Sequence, residues 1–122
     1  MPQVFYFCYK PNLMQLFIID WTKEESTPLL EYCKASSHKV VGTEFKDGGE
    51  AYRKIAGCHP DAIVVNYAKK PYHGRVTAQE IRKRKATSLI PIYFIDGEEE
   101  ENELAENIGI CLSSDELKDL LE

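Results

Sequence analysis

Apolar residues arrive along this chain in five short runs, each followed by a longer stretch in which apolar and polar positions recur at helical spacing. The runs are Leu16-Phe17-Ile18-Ile19, Lys39-Val40-Val41-Gly42, Ala62-Ile63-Val64-Val65, Ile92-Tyr93-Phe94-Ile95 and Ile110-Cys111-Leu112. They are rich in β-branched residues and lack apolar/polar alternation, the pattern of strands buried on both faces of a parallel sheet. Helices are predicted after each. Thr27 caps the first, with Pro28 in its opening turn and Leu29, Leu30 and Cys33 on the face toward the sheet. Asp47-Gly48-Gly49-Glu50 has capping-box spacing for a second helix that buries Ala51, Tyr52, Ile55 and Ala56 and stops at Gly57. Pro71 to Gly74 predicts a turn. Thr77-Ala78-Gln79-Glu80 then predicts a capping box opening a third helix that finishes on Arg82-Lys83-Arg84-Lys85, cations that complement a helix C-terminus. Glu98 to Glu101 open a polar, solvent-facing fourth helix through Ala105. Ser113-Ser114-Asp115-Glu116 caps a fifth, with Leu117, Leu120 and Leu121 inward.

Five strands alternating with five helices, joined by right-handed crossovers, predict a doubly wound α/β three-layer sandwich with sheet order 2-1-3-4-5. In open sheets of this kind, ligands and catalytic groups lie at the carboxyl ends of the strands. Asn66 closes the central strand, so chemistry is expected there and at the neighbouring strand ends, with Asp20, Trp21, Asp96, Ser113 and Ser114 lining the crevice. Residues 1–13 stand apart as an arm or extra strand before one domain spanning 14–122. Their segment Gln3 to Tyr9 is β-prone and aromatic, which suits either an edge strand covering its own domain or a dimer contact.

Composition narrows the class. With 122 residues, 43% hydrophobic and 29% charged, the chain is long enough for one core, and neither disorder nor a membrane protein is indicated. No apolar run approaches a transmembrane span, so a cytoplasmic protein is expected. Cys8, Cys33, Cys58 and Cys111 lie in apolar contexts without CxxC spacing, which suits reduced core thiols better than disulfides or zinc. The net charge of −5 argues against nucleic acid as the main partner.

The succession Phe-Ile-Ile-Asp, Lys-Val-Val-Gly, Asp-Gly-Gly-Glu-Ala, His-Pro-Asp-Ala-Ile-Val-Val-Asn, a Pro-x-x-Gly turn and Ile-Pro-Ile-Tyr-Phe-Ile-Asp resembles the receiver domain of bacterial response regulators, over about residues 14–122. The resemblance implies a flavodoxin-like, CheY-like fold and a place in two-component signal transduction or a phosphorelay. In that family the third strand ends on an aspartate that accepts a phosphoryl group. Here that position is Asn66, whose amide oxygen is too poor a nucleophile for an acyl phosphate and whose neutrality weakens metal binding. The paired acids that hold magnesium correspond to Asp20-Trp21, with one acid left; which member of the pair survives stays open. Asp96 replaces the strand-4 hydroxyl residue, where a carboxylate repels phosphate. The lysine after strand 5 falls at Ser113 or Ser114, and the aromatic switch position falls at Cys111. Phosphoryl transfer works by positioning and electrostatics, so losing all of these together removes the machinery.

The expectation is therefore a pseudo-receiver: not an enzyme, with no cofactor, docking a signalling protein or a second copy of itself, and with no nucleic-acid or membrane partner. The competing reading is a small-ligand, metal-binding or enzymatic domain using the strand-end crevice, where Asp20 and Asp96 converge on Asn66 as a thin cation site. His38, His59 and His73 fall in expected loops or turns without an adjacent nucleophile and read as surface residues. Lys69, Lys70, Arg75 and the 82–85 run read as a basic face beside the third helix.

Overall fold

The computed structural model describes residues 13–122; the aromatic segment 3–9, read above as an edge strand or dimer contact, lies outside them. Strands β1 (Gln15–Ile19), β2 (Lys39–Glu44), β3 (Ala62–Asn66), β4 (Ile92–Ile95) and β5 (Ile110–Leu112) alternate with helices α1 (Pro28–Ala35), α2 (Gly48–Cys58), α3 (Pro71–Lys83), α4 (Glu99–Ala105) and α5 (Ser114–Leu121). The strands form one parallel sheet in the order β2-β1-β3-β4-β5, the doubly wound arrangement expected from the sequence.

Side chains alternate across the sheet and divide the core in two. Phe17, Ile19, Ile63, Val65 and Phe94 pack under α2, α3 and α4 through Ala51, Ile55, Ala78, Ile81 and Ala105. Leu16, Ile18, Ala62, Val64 and Ile95 meet Leu30 and Cys33 of α1 and Leu117 and Leu121 of α5. Because β1, β3 and β4 are covered on both faces, their runs carry no polar alternation; β2, at an edge, is only half-buried before Glu44. Burial pushes the Cys33 thiol up to about 11, which leaves it an inert core thiol.

Local signals held where one side chain decides a helix end. The Thr27 hydroxyl accepts from Leu30 N–H above Pro28, and the Ser113 and Glu116 side chains form a reciprocal capping box on α5. Asp47 accepts from Gly49 and Glu50 N–H, but Glu50 turns to Arg53 instead of closing the box.

Several expectations are corrected. The third helix begins at Pro71, not near Thr77: Lys70 precedes it in the left-handed region (φ 45°) and Pro71 occupies its first turn. The expected turn at Pro71 to Gly74 is therefore that first turn. Thr77 is buried in mid-helix, packed against Gly48, where an added Cβ would sit 2.5 Å from its Oγ1. Gly57 does not stop α2; His59 does, in the left-handed region at φ 47°. Leu120 is exposed rather than inward, and Leu29, Tyr52 and Ala56 are only partly covered. His38 is no surface residue: it is buried, its Nδ1 accepting from Met14 N–H at 2.9 Å and its Nε2 lying 2.7 Å from the Leu121 carbonyl.

The basic face is kept only in part: Lys69, Lys70, Lys83 and Lys85 are exposed, while the three arginines are engaged. Arg75 pairs with Glu101 and donates to the Tyr67 hydroxyl, which leaves Glu101 only partly exposed. Arg82 spends its guanidinium on the carbonyls of Ile108, Ser88 and Ile90, and Arg84 pairs with Glu80.

Candidate functional site

The strand ends hold two separate polar knots rather than one converging cluster. The first is built on Asp20, which follows β1 and is fully buried. Its Oδ2 accepts from the Thr27 hydroxyl at 2.6 Å and its Oδ1 from the Asn66 amide at 3.2 Å, with the Lys69 ammonium 3.8 Å from the same oxygen. A buried carboxylate persists only when it is paired and hydrogen-bonded, and these three groups meet that requirement. Asn66 returns its own Oδ1 to Ala68 N–H at 3.2 Å, a turn that starts the β3–α3 loop.

The second knot is Asp96. It leaves β4 in the left-handed region (φ 59°), and its Oδ1 accepts from Ser114 N–H at 2.7 Å while Oδ2 accepts from the Ser114 hydroxyl. A carboxylate is thus seated on the amino end of α5, where the helix dipole and free backbone donors favour negative charge. Ser113 caps the same helix and faces Glu116.

Trp21 departs from the crevice. It is buried in the α2/α3 half of the core, its indole N–H facing Gly74 with no acceptor among the described residues. Cys111 lies half-buried in β5, its thiol directed at the Asn102 carbonyl at 3.7 Å and pushed up by burial and by Glu106. Asn66, Asp96 and Ser114 share a crevice of about 390 Å³ with Tyr32, Lys69 and Lys118; Asp20, Trp21, Ser113 and Cys111 do not line it.

Two functional neighbours escaped sequence reasoning. Thr27 was legible as a helix cap, but the same hydroxyl also donates to Asp20 across the loop between β1 and α1. Lys69 was counted in a basic face, whereas it brings to Asp20 a positive charge from the β3–α3 loop, a different place from the one where the resemblance expects a lysine.

The resemblance implies a magnesium site, and the residues present do not fit one. A hard divalent ion needs several free oxygen ligands. Both Asp20 oxygens are committed to protein donors, Asn66 offers its nitrogen side to Asp20, and Asp96 is turned onto α5. No group of three or more His, Cys, Asp or Glu residues stands ready for a metal among the described residues. No described helix is long and apolar enough to cross a membrane.

A third feature stiffens the same end of the sheet. Tyr67, fully buried after Asn66, donates its hydroxyl to the Glu101 carbonyl at 2.6 Å, receives Arg75 at 3.0 Å and packs against Phe94 with ring centroids 4.8 Å apart and planes inclined at 55°. Together with the Arg75–Glu101 pair this bolts α4 to β3 and α3.

No protein-family model and no curated protein sequence matches the chain. The fold is similar to that in the crystal structure of the N-terminal domain of a response regulator receiver protein from Methanoculleus marisnigri JR1. The TM-score is 0.65 at 19% identity, over 87% of this chain and 89% of that one.

Proposed function

We propose that this chain is a receiver-like signalling domain that works without aspartyl phosphorylation, as a protein-interaction module. The observation that carries the reading is Asn66, an amide at the end of the central strand, hydrogen-bonded to a fully buried Asp20 whose other oxygen is held by Thr27. An acyl phosphate needs a carboxylate nucleophile and a metal, and this crevice offers neither in usable form. Asp96 in turn places a carboxylate at the strand-4 position, where it would repel an incoming phosphate.

The same parts favour a single conformational state. Receivers transmit phosphorylation by rearranging the strand-4 hydroxyl residue and the strand-5 aromatic. Here Asp96 is tied to Ser114, position 111 is a cysteine, and α4 is fastened through Tyr67, Arg75 and Glu101. Without a second state of comparable energy a ligand has nothing to shift. Docking is therefore constitutive, and the face of α4, β5 and α5 suits it: Leu104, Ile110 and Leu120 are 57%, 52% and 42% exposed there. The partner is a signalling protein or a second copy of the chain.

Incubation with acetyl phosphate and magnesium, read by intact mass, tests the first half; the expected result is an unmodified chain, and a stable phosphoryl adduct overturns the reading. Light scattering of the full chain and of Ile110→Glu tests the second. Loss of a dimer in the variant identifies self-association through this face, while a monomer in both leaves a heterologous partner as the occupant.

A further inference from the structure

A second cleft, of about 620 Å³, opens where the loops leaving β1, β2 and β3 meet, lined by Trp21, Thr22, Lys23, Phe45, Lys46 and Lys70. Its size is that of a small-molecule site. Each loop brings one lysine, and backbone geometry fixes where each side chain starts. Thr22 N–H donates to the Phe45 carbonyl at 3.1 Å and Asp20 N–H to the Glu44 carbonyl at 3.0 Å, which holds the first two loops side by side. Lys70 is set in the left-handed region (φ 45°), its carbonyl accepting from His73 and Gly74 N–H at the start of α3.

The charge of this lining has one sign. Lys23, Lys46 and Lys70 are exposed, and none of them pairs with a carboxylate among the described residues. The lining itself contains no Asp or Glu. The acids beside it are engaged by other groups: Asp20 by Thr27, Asn66 and Lys69, and Asp47 by the N–H groups of Gly49 and Glu50. Glu44 is held by Lys54 and by the N–H groups of Lys46 and Asp47, so the Lys46 ammonium is not its partner. Glu24 and Glu25 follow Lys23 outside the lining and face solvent, which screens them. Three ammonium groups without counter-charge at one cleft select an anion, and a multiply charged anion over a single charge, since each adds to the attraction. Lysine suits phosphate oxygens as a point charge. Half-buried Phe45 adds an apolar wall. The chain as a whole carries −5, which disfavours a long nucleic acid and favours a small ligand that meets the cleft alone.

We infer that this cleft binds a small oligophosphate, a contiguous run of phosphates either free or carried by a nucleoside, held between Lys23, Lys46 and Lys70. No covalent bond is made or broken. The site is separate from the Asn66 crevice, whose lysines are Lys69 and Lys118, and it stands whether or not Asn66 accepts a phosphoryl group. A bound oligophosphate would tie together the three loops that leave β1, β2 and β3, a reversible input to the domain.

Tripolyphosphate is the first probe, titrated into the full chain without added metal at constant ionic strength; ATP is the second and sulfate the control. The readouts are the amide resonances of Thr22, Lys23, Phe45 and Lys46 and the fluorescence of Trp21, the single tryptophan of the chain. Saturable shifts with a Kd on the order of 0.1–1 mM are expected at low salt, weakening as salt rises, with sulfate weaker by about tenfold. ATP binding tighter than tripolyphosphate places the base against Phe45, and ATP binding no tighter assigns the site to the phosphates alone. Lys23→Gln, Lys46→Gln and Lys70→Asn should each weaken tripolyphosphate by about three- to tenfold, asparagine being chosen at 70 because it tolerates the left-handed backbone. Lys85→Gln, beyond the far end of α3, should leave the affinity unchanged. All four positions are exposed, so the variants should keep the fold; if Lys70→Asn does not, the Lys23 and Lys46 variants decide. Four results overturn the site: no saturable shifts, sulfate binding as tightly, an equal loss in Lys85→Gln, or shifts centred on Ala68 and Leu117 of the Asn66 crevice.

Discussion

Replacing Asn66 by aspartate restores the residue that the family resemblance expects, and in this chain it should do harm. The Asn66 amide nitrogen lies 3.2 Å from Asp20 Oδ1 and donates to it. In Asn66→Asp the donor is lost and a second carboxylate arrives at that separation. At an effective dielectric of about 20, two unit charges that far apart repel by about 5 kcal/mol. Lys69, 3.8 Å from the same oxygen, offsets part of this, but its side chain is 45% exposed and solvent screens it heavily. Position 66 is half-buried, so the new carboxylate can also swing toward water. A net loss of about 1–3 kcal/mol at neutral pH follows. The sign with pH is fixed: like-charge repulsion makes the introduced carboxyl hold its proton more strongly folded than unfolded. The penalty is therefore absent below the unfolded carboxylate range and grows as pH rises through it. Urea unfolding of both proteins at about pH 7.5 and again near pH 5 measures it. Equal stability at neutral pH, or a penalty that grows on acidification, refutes the electrostatic argument. Recovery of the loss by millimolar magnesium refutes the claim that the Asp20 oxygens are committed.

Gly97→Ala should cost about 2–3 kcal/mol in thermal unfolding, because a Cβ there drives into the Tyr67 ring and Asn102 Oδ1; Gly57→Ala, with nothing within 4 Å, should instead stabilise α2 by about 0.5–1 kcal/mol. His38→Leu should lose about 2–4 kcal/mol by orphaning Met14 N–H and the Leu121 carbonyl, and hydrogen exchange at Met14 should accelerate along with it. At Glu44 burial opposes the charge, but Lys54 and the N–H groups of Lys46 and Asp47 hold the carboxyl below its usual range. Its contribution is present above the unfolded carboxylate range and lost as pH falls through the lower folded value, so Glu44→Gln should flatten the acid limb of the stability curve.

The strands were legible because burial on both faces leaves an unbroken apolar run, and β3, β4 and β5 match their runs closely. The last part of β2 was hidden by Thr43 and Glu44, polar residues that an edge strand tolerates and a sequence reader takes for a loop. The start of α3 was missed because two signals competed. Pro71 marked a first helical position, but Thr77 and Glu80 had capping-box spacing, and only the packing of Thr77 on Gly48 shows that hydroxyl to be interior. In the candidate site, Asn66 and Asp20 were found from strand ends alone. Thr27 and Lys69 were not, since each reaches Asp20 from a loop whose path no periodicity describes. Asp96 was placed on the crevice side, yet its backbone turn at φ 59° sends both oxygens to Ser114.

That last contact has a thermodynamic consequence for how such a domain is run. A helix amino terminus facing a strand-end crevice is an anion seat, and here the seat is filled by a carboxylate belonging to the chain itself. An occupant joined by the backbone is always at hand, so a dissolved phosphate would have to displace it to bind. Under the proposed reading the seat carries no hydrolysis clock. The strength of the signal is then set by how many copies of the chain are made and how fast they are cleared.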